Sequence, residues 1–140
     1  MRQVQYLTQL LQQIIFKKNQ NKPKEAVEDI HNAFQRLTKD RPKEFHQLSL
    51  EETGKMFIDD NTLQDELAVA AADLLFQEAE MLEDQQFSRA KKSRLQALLL
   101  YKMALKDDKA AVPLDIQQKI AELEQSLTDN DLEKMDTLLH

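Results

Sequence analysis

TLQDELAVAAADLLFQEAEMLEDQQFSRAKKSRLQALLLYKMALKDD, residues 62–108, runs without a glycine or a proline, and its small apolar residues alternate with charge at helical spacing. The first half carries acids and no bases: Asp65, Glu66, Asp73, Glu78, Glu80, Glu83 and Asp84. The second half is mainly basic, with Arg89, Lys91, Lys92, Arg94, Lys102 and Lys106. A single helix over this stretch would span about 70 Å, a length that asks for sustained heptads, and none run through it. The polar run Glu83-Asp84-Gln85-Gln86 is the natural bend. The spacing therefore predicts two helices, Leu63–Asp84 and Phe87–Lys106, folded back antiparallel with complementary charge. Each exposed charge pair between them contributes only about 0.2–1 kcal/mol.

Leu63, Leu67, Ala70, Ala71, Leu74, Leu75, Met81 and Leu82 form the apolar face of the first helix. The run Ala68–Ala72 lets another backbone come close. Ala90, Leu95, Ala97, Leu98, Tyr101, Ala104 and Leu105 should point inward from the second. The residues expected to pack the hairpin are Leu74, Phe87, Ala90, Ala97, Tyr101 and Ala104. This role is structural and carries no chemistry.

Gln85-Gln86-Phe87-Ser88-Arg89-Ala90 resembles the turn of a tetratricopeptide repeat, where a glycine, a polar residue and an aromatic precede an alanine. Ala97 lies one heptad beyond Ala90, and Ala97, Tyr101 and Ala104 continue an alanine–aromatic–alanine pattern. Pro113 follows, as a proline often follows that repeat's second helix. The resemblance spans residues 67–113. It departs from the family at Gln85, where the turn glycine belongs, and at Arg94, where an aromatic is expected; no second copy follows at the repeat period. The chain also looks like short bacterial helical proteins of unassigned function. The resemblance implies an interaction scaffold.

Outward from the hairpin, residues 3–18 read as an amphipathic helix on Val4, Leu7, Leu11, Ile14 and Ile15, with Lys17 and Lys18 complementing the dipole at its end. Pro23 opens a second helix to about Lys39, with Ala26, Val27, Ile30, Ala33, Phe34 and Leu37 on one face. Asp40-Arg41-Pro42 breaks the chain. Phe45 and Leu48 belong to a short helical turn, and Ser49-Leu50-Glu51-Glu52 has the capping-box pattern that starts another helix. Gly54 weakens that helix or ends it early. Asp59-Asp60-Asn61-Thr62 reads as an N-cap cluster for the hairpin's first helix. It lacks the glycine and the final glutamate of a calcium loop. Beyond Pro113, a helix starting near Leu114 carries one stripe, Ile116, Ile120, Leu123 and Leu127. Thr128-Asp129-Asn130-Asp131 caps a last short helix with Leu132, Met135, Leu138 and Leu139.

The fold class is all-α: six to seven helices in antiparallel hairpins, a tetratricopeptide-like bundle without a sheet. Its 140 residues suit one domain. Residues 1–61 supply N-terminal helices, 62–108 the central hairpin and 113–140 capping helices. Net charge is −6, which disfavours wholesale nucleic-acid binding. There is no cysteine, so disulfides and thiolate zinc sites are excluded. No signal peptide is read at the N-terminus, and no apolar stretch approaches the ~18 residues a bilayer span needs. The expected compartment is cytoplasmic.

Few residues invite chemistry. Glu28 and His31 have the spacing of one half of a carboxylate-bridged metal site, which needs a second such motif and two further glutamates. His46 has no serine, cysteine or second histidine near it in sequence and reads as a satisfied or solvated side chain. The basic N-terminal helix could lie on a membrane surface, but its bases cluster at one end, which favours a core or dimer helix. The leading reading is a non-enzymatic protein–protein interaction or scaffold module without a cofactor. The alternatives are a metal-binding bundle or enzyme using Glu28 and His31, and anionic-surface or nucleic-acid binding through the basic segment 89–109. The expected partner is a protein of unknown identity. Self-association into a homodimer is also expected, because the first, fifth and last helices offer apolar faces.

Overall fold

The computed structural model describes residues 2–19, 23–38, 44–82, 87–107 and 115–139. Among them are seven α-helices: α1 (Arg2–Asn19), α2 (Pro23–Leu37), α3 (Leu50–Lys55), α4 (Asp65–Leu82), α5 (Phe87–Lys106), α6 (Ile116–Gln125) and α7 (Asp129–Leu139). A 3-10 turn, Phe45–Gln47, precedes α3. The expected bend at Gln85-Gln86, the break at Asp40–Pro42 and the segment around Pro113 and Leu114 lie outside the described residues, as does the side chain of Phe87.

Local signals set several of these boundaries. Ser49 Oγ accepts from the Glu52 backbone N–H at 3.0 Å, and Glu52 Oε1 accepts from the Ser49 N–H at 3.0 Å, closing the capping box that starts α3. Thr128 does the same for α7: its hydroxyl oxygen accepts from the Asp131 N–H at 3.2 Å, and the Asp131 carboxylate accepts from the Thr128 N–H at 3.3 Å. Gly54 sits inside α3. A Cβ there would stand 3.2 Å from Met103 Sδ and 3.7 Å from Leu99 Cδ2, so the missing side chain lets α3 lie close on α5.

The sheetless expectation needs correction at one place. Ile58–Asp59 (β1) and Thr62–Leu63 (β2) pair antiparallel, Ile58 opposite Leu63 and Asp59 opposite Thr62. Asp60 and Asn61 form the loop with left-handed backbone, φ 51° and 61°. A two-residue type I′ hairpin needs φ above zero at both positions, and Asp and Asn tolerate it best after glycine. The 59–62 cluster is therefore a hairpin turn, and Thr62 belongs to a strand instead of capping α4. That helix starts two residues later than expected, at Asp65, and its described part ends at Leu82.

α5 is the centre of the packing. It lies along α4 and also meets α3, α6, α7 and the 3-10 turn. From Ser93 to Tyr101 every residue except Leu95 is buried, including Ser93, Arg94 and Gln96. A helix enclosed on most sides has no single apolar stripe to read. This is why Leu99 and Leu100 are core residues that a one-sided pattern passes over, while Leu105, expected inward, is 44% exposed near the helix end. Leu74, Ala90, Ala97, Tyr101 and Ala104 are all buried. The alanines of α4 from Ala70 to Ala72 and Ala68 are buried too, which allows the close approach of neighbouring helices. α1 and α2 pack on each other and on α4 through Leu7, Ile14, Ala26, Ile30, Ala33 and Phe34.

Candidate functional site

Two kinds of feature could carry a function: clusters of buried polar side chains, and an apolar groove.

The first cluster surrounds Glu78, whose side chain is wholly buried in α4. His46 Nε2, on the 3-10 turn, donates to Glu78 Oε1 at 2.6 Å. Ser93 Oγ, on α5, donates to the same oxygen at 2.6 Å. Arg89 Nη2 donates to Glu78 Oε2 at 3.2 Å. Burial alone would raise the carboxyl's pKa, but His46, Ser93 and Arg89 together outweigh it and hold the group below its usual 4.5. The His46 ring also meets Phe34 and Phe45 edge-on. Ser93 and His46 both spend their donors on one carboxylate. The arrangement therefore anchors a buried charge between α4, α5 and the 3-10 turn.

A second cluster ties α4 to α5 and α6. The Tyr101 hydroxyl donates to Asp73 Oδ1. Lys119 Nζ donates to the same oxygen at 3.0 Å and lies 3.2 Å from Asp115. Burial, then the Asp73 charge, pushes the Tyr101 phenol well above its ordinary value. Burial works against the Lys119 ammonium, yet Asp73 and Asp115 prevail and raise its pKa. A third buried polar residue, Gln96, donates to the Phe45 carbonyl at 2.8 Å and to Thr53 Oγ1 at 3.1 Å, clamping the 3-10 turn and α3 onto α5. Its Oε1 is buried without a hydrogen-bond partner.

The groove, about 580 Å³, lies between α3, the β-hairpin, the end of α5 and the end of α7. Leu50 and Gly54 supply one wall, Ile58 and Leu63 a second, Leu99 and Met103 the floor, and Thr137, Leu138 and Leu139 line it from the end of α7. Glu51, Lys55, Lys106 and Asp107 stand around it. Ile58 and Leu138 are 45% and 42% exposed.

The other sequence candidates are dispersed. Glu28 is exposed, and His31 Nε2 accepts from the Gln35 amide at 3.0 Å. Among the described residues, no group of three or more His, Asp or Glu side chains is placed to hold a metal ion. Basic α5 was expected to face acidic α4; Arg89 meets Glu78 in this way, while several other bases turn to the C-terminal helices. Lys91 meets Asp131 at 3.3 Å, Lys102 meets Glu124 at 3.3 Å and Asp136 at 3.5 Å, and Lys106 Nζ donates to the Leu139 carbonyl. Burial lowers the pKa of the Lys92 ammonium, against the opposing charge of Glu52. Phe16, on α1, is 61% exposed beside Gln9, Gln12 and Gln13.

Sequence reasoning missed Glu78, Ser93, Gln96 and the groove. Glu78 and Ser93 looked like surface residues of their helices, and no local pattern marks them. Among the described residues no helix is long and apolar enough to cross a membrane. Comparison with family models, with curated proteins and with solved structures finds no match for the chain.

Proposed function

We propose that this protein is a non-enzymatic interaction module, a tetratricopeptide-like helical bundle that docks the apolar ridge of an amphipathic helix from a partner protein. The observation that carries this reading is the groove of about 580 Å³ floored by Leu99 and Met103, with Ile58 and Leu138 exposed at its edges. A concave apolar surface with exposed large side chains is what helix-in-groove recognition uses. The buried polar clusters serve the same end: Glu78 ties the 3-10 turn to α4 and Gln96 ties the turn and α3 to α5, and so they hold one wall of the groove in place.

The test compares the wild-type chain with Ile58→Glu and Leu138→Glu. Both positions are exposed, so neither substitution should change the melting temperature by more than a few degrees. A partner captured from the native cell by the wild type, bound by the purified chain and lost in both variants supports the reading. Capture that persists in both variants sinks it. Light scattering on the same proteins tests the homodimer: a dimer mass that reverts to monomer in the variants would make a second copy the occupant.

A further inference from the structure

We infer that α7 is a salt-sensitive arm latched across one end of the groove by three lysines of α5, so that undocking it opens the site. This inference rests on the groove being the functional surface. α7 places one side chain, Met135, fully in the core. Leu132 and Leu139 are partly buried and Leu138 is exposed. For a helix of 11 residues that is a thin apolar attachment.

Beside these contacts and its packing on α3 and α5, the helix is tied to α5 by two ion pairs and one lysine hydrogen bond. Lys91 reaches Asp131, which also caps the helix through Thr128; Lys102 reaches Asp136; Lys106 donates to the carbonyl of Leu139. The partners follow the same order along both helices, so the arm is held near its start, middle and end. Asp136 is 61% exposed, which leaves that pair open to screening. Lys102 also holds Glu124 of α6, so it keeps a partner when α7 leaves. The far end of the arm, Thr137 to Leu139, is the part that lines the groove. The latch and the gate are therefore the same short helix.

Hydrogen exchange of the full chain, followed by mass spectrometry, tests the latch. Raising NaCl from about 0.1 M to about 1 M shortens the screening length from about 10 Å to about 3 Å. The α7 amides should then exchange about tenfold faster, with those of α4 unchanged. The Lys91→Gln/Lys102→Gln double variant should exchange fast already at low salt and lose the salt response. Exchange of α7 that ignores salt, or a salt response equal in the double variant, overturns the latch.

Nile red serves as the groove probe. Its fluorescence should rise as α7 exchange rises; α7 opening with no rise in dye signal overturns the gate. Met103→Glu separates the two ideas. If this variant keeps wild-type α7 exchange and the dye signal is undiminished, the dye is elsewhere and the groove reading fails, while the latch stands.

Discussion

His46 and Glu78 stand 32 residues apart and meet at 2.6 Å, joining the turn before α3 to the C-terminal part of α4. The carboxylate is buried, and each donor around it comes from His46, Arg89 or Ser93. Replacing the charge while keeping the shape should show what it contributes. Glu78→Gln leaves Arg89 and His46 facing a neutral amide, and we expect a loss of about 3 kcal/mol in urea unfolding at pH 7.

The same carboxylate makes stability depend on acid. Its pKa is lowered on folding, so the unfolded chain binds its proton first. The stabilisation is complete above about pH 4.5 and is lost as the pH falls through the folded value. Asp131, held down by Thr128 and by Lys91 against a small effect of burial, works in the same direction. Unfolding free energy measured between about pH 6 and pH 3 should fall, and the fall should be shallower in Glu78→Gln.

Tyr101→Phe removes one donor to Asp73 and leaves Lys119 on the same oxygen. Denaturant titration should show a loss of about 1–2 kcal/mol. A double-mutant cycle with Lys119→Met should give a non-zero coupling, because both groups bond the same carboxylate oxygen.

Gln96→Ala deletes two hydrogen bonds and opens space beside Phe45 and Thr53. Phe45 keeps the Leu48 N–H on its carbonyl and the Thr53 hydroxyl still donates to the Ser49 carbonyl, so the loss is that of two buried hydrogen bonds, about 1–3 kcal/mol. Gln96→Met keeps the volume and removes the unpartnered Oε1, so it should be the milder change in the same thermal melt.

At the hairpin turn, Asn61 holds φ 61°. Asn61→Gly should be neutral or stabilising by up to about 1 kcal/mol, since glycine takes this backbone without strain. Asn61→Val should destabilise, because a β-branched side chain resists it. Thermal unfolding of both variants decides the sign.

These residues also show what could be read in advance. Ser49 and Glu52 declare the start of α3 from four consecutive positions, because capping is a local event. α5 was bounded correctly from Phe87 to Lys106, because breaker-free helical spacing carries that information along one segment. The β-hairpin was hidden: two-residue strands are too short for an alternating pattern, and Asp60-Asn61 lacks the glycine that usually announces the turn. The Glu78 cluster was hidden for another reason. Its members come from the 3-10 turn, α4 and α5, and a helix face that looks polar becomes interior only when a third element lies on it. The groove depends on four separate elements, so it existed in no single stretch of the chain.

The enclosure of α5 sets how the chain can be divided. One side of this helix receives the 3-10 turn and α3, another receives α4, and another α6 and α7. A fragment ending before α6 would bare the Tyr101 ring where Lys119 lies over it, and one beginning after the β-hairpin would bare the seat of Phe45 beside Gln96. Neither piece keeps a closed interior. Mixed together, however, two complementary fragments cut between α4 and α5 present matching halves of one seam, and should regain helicity only in each other's presence.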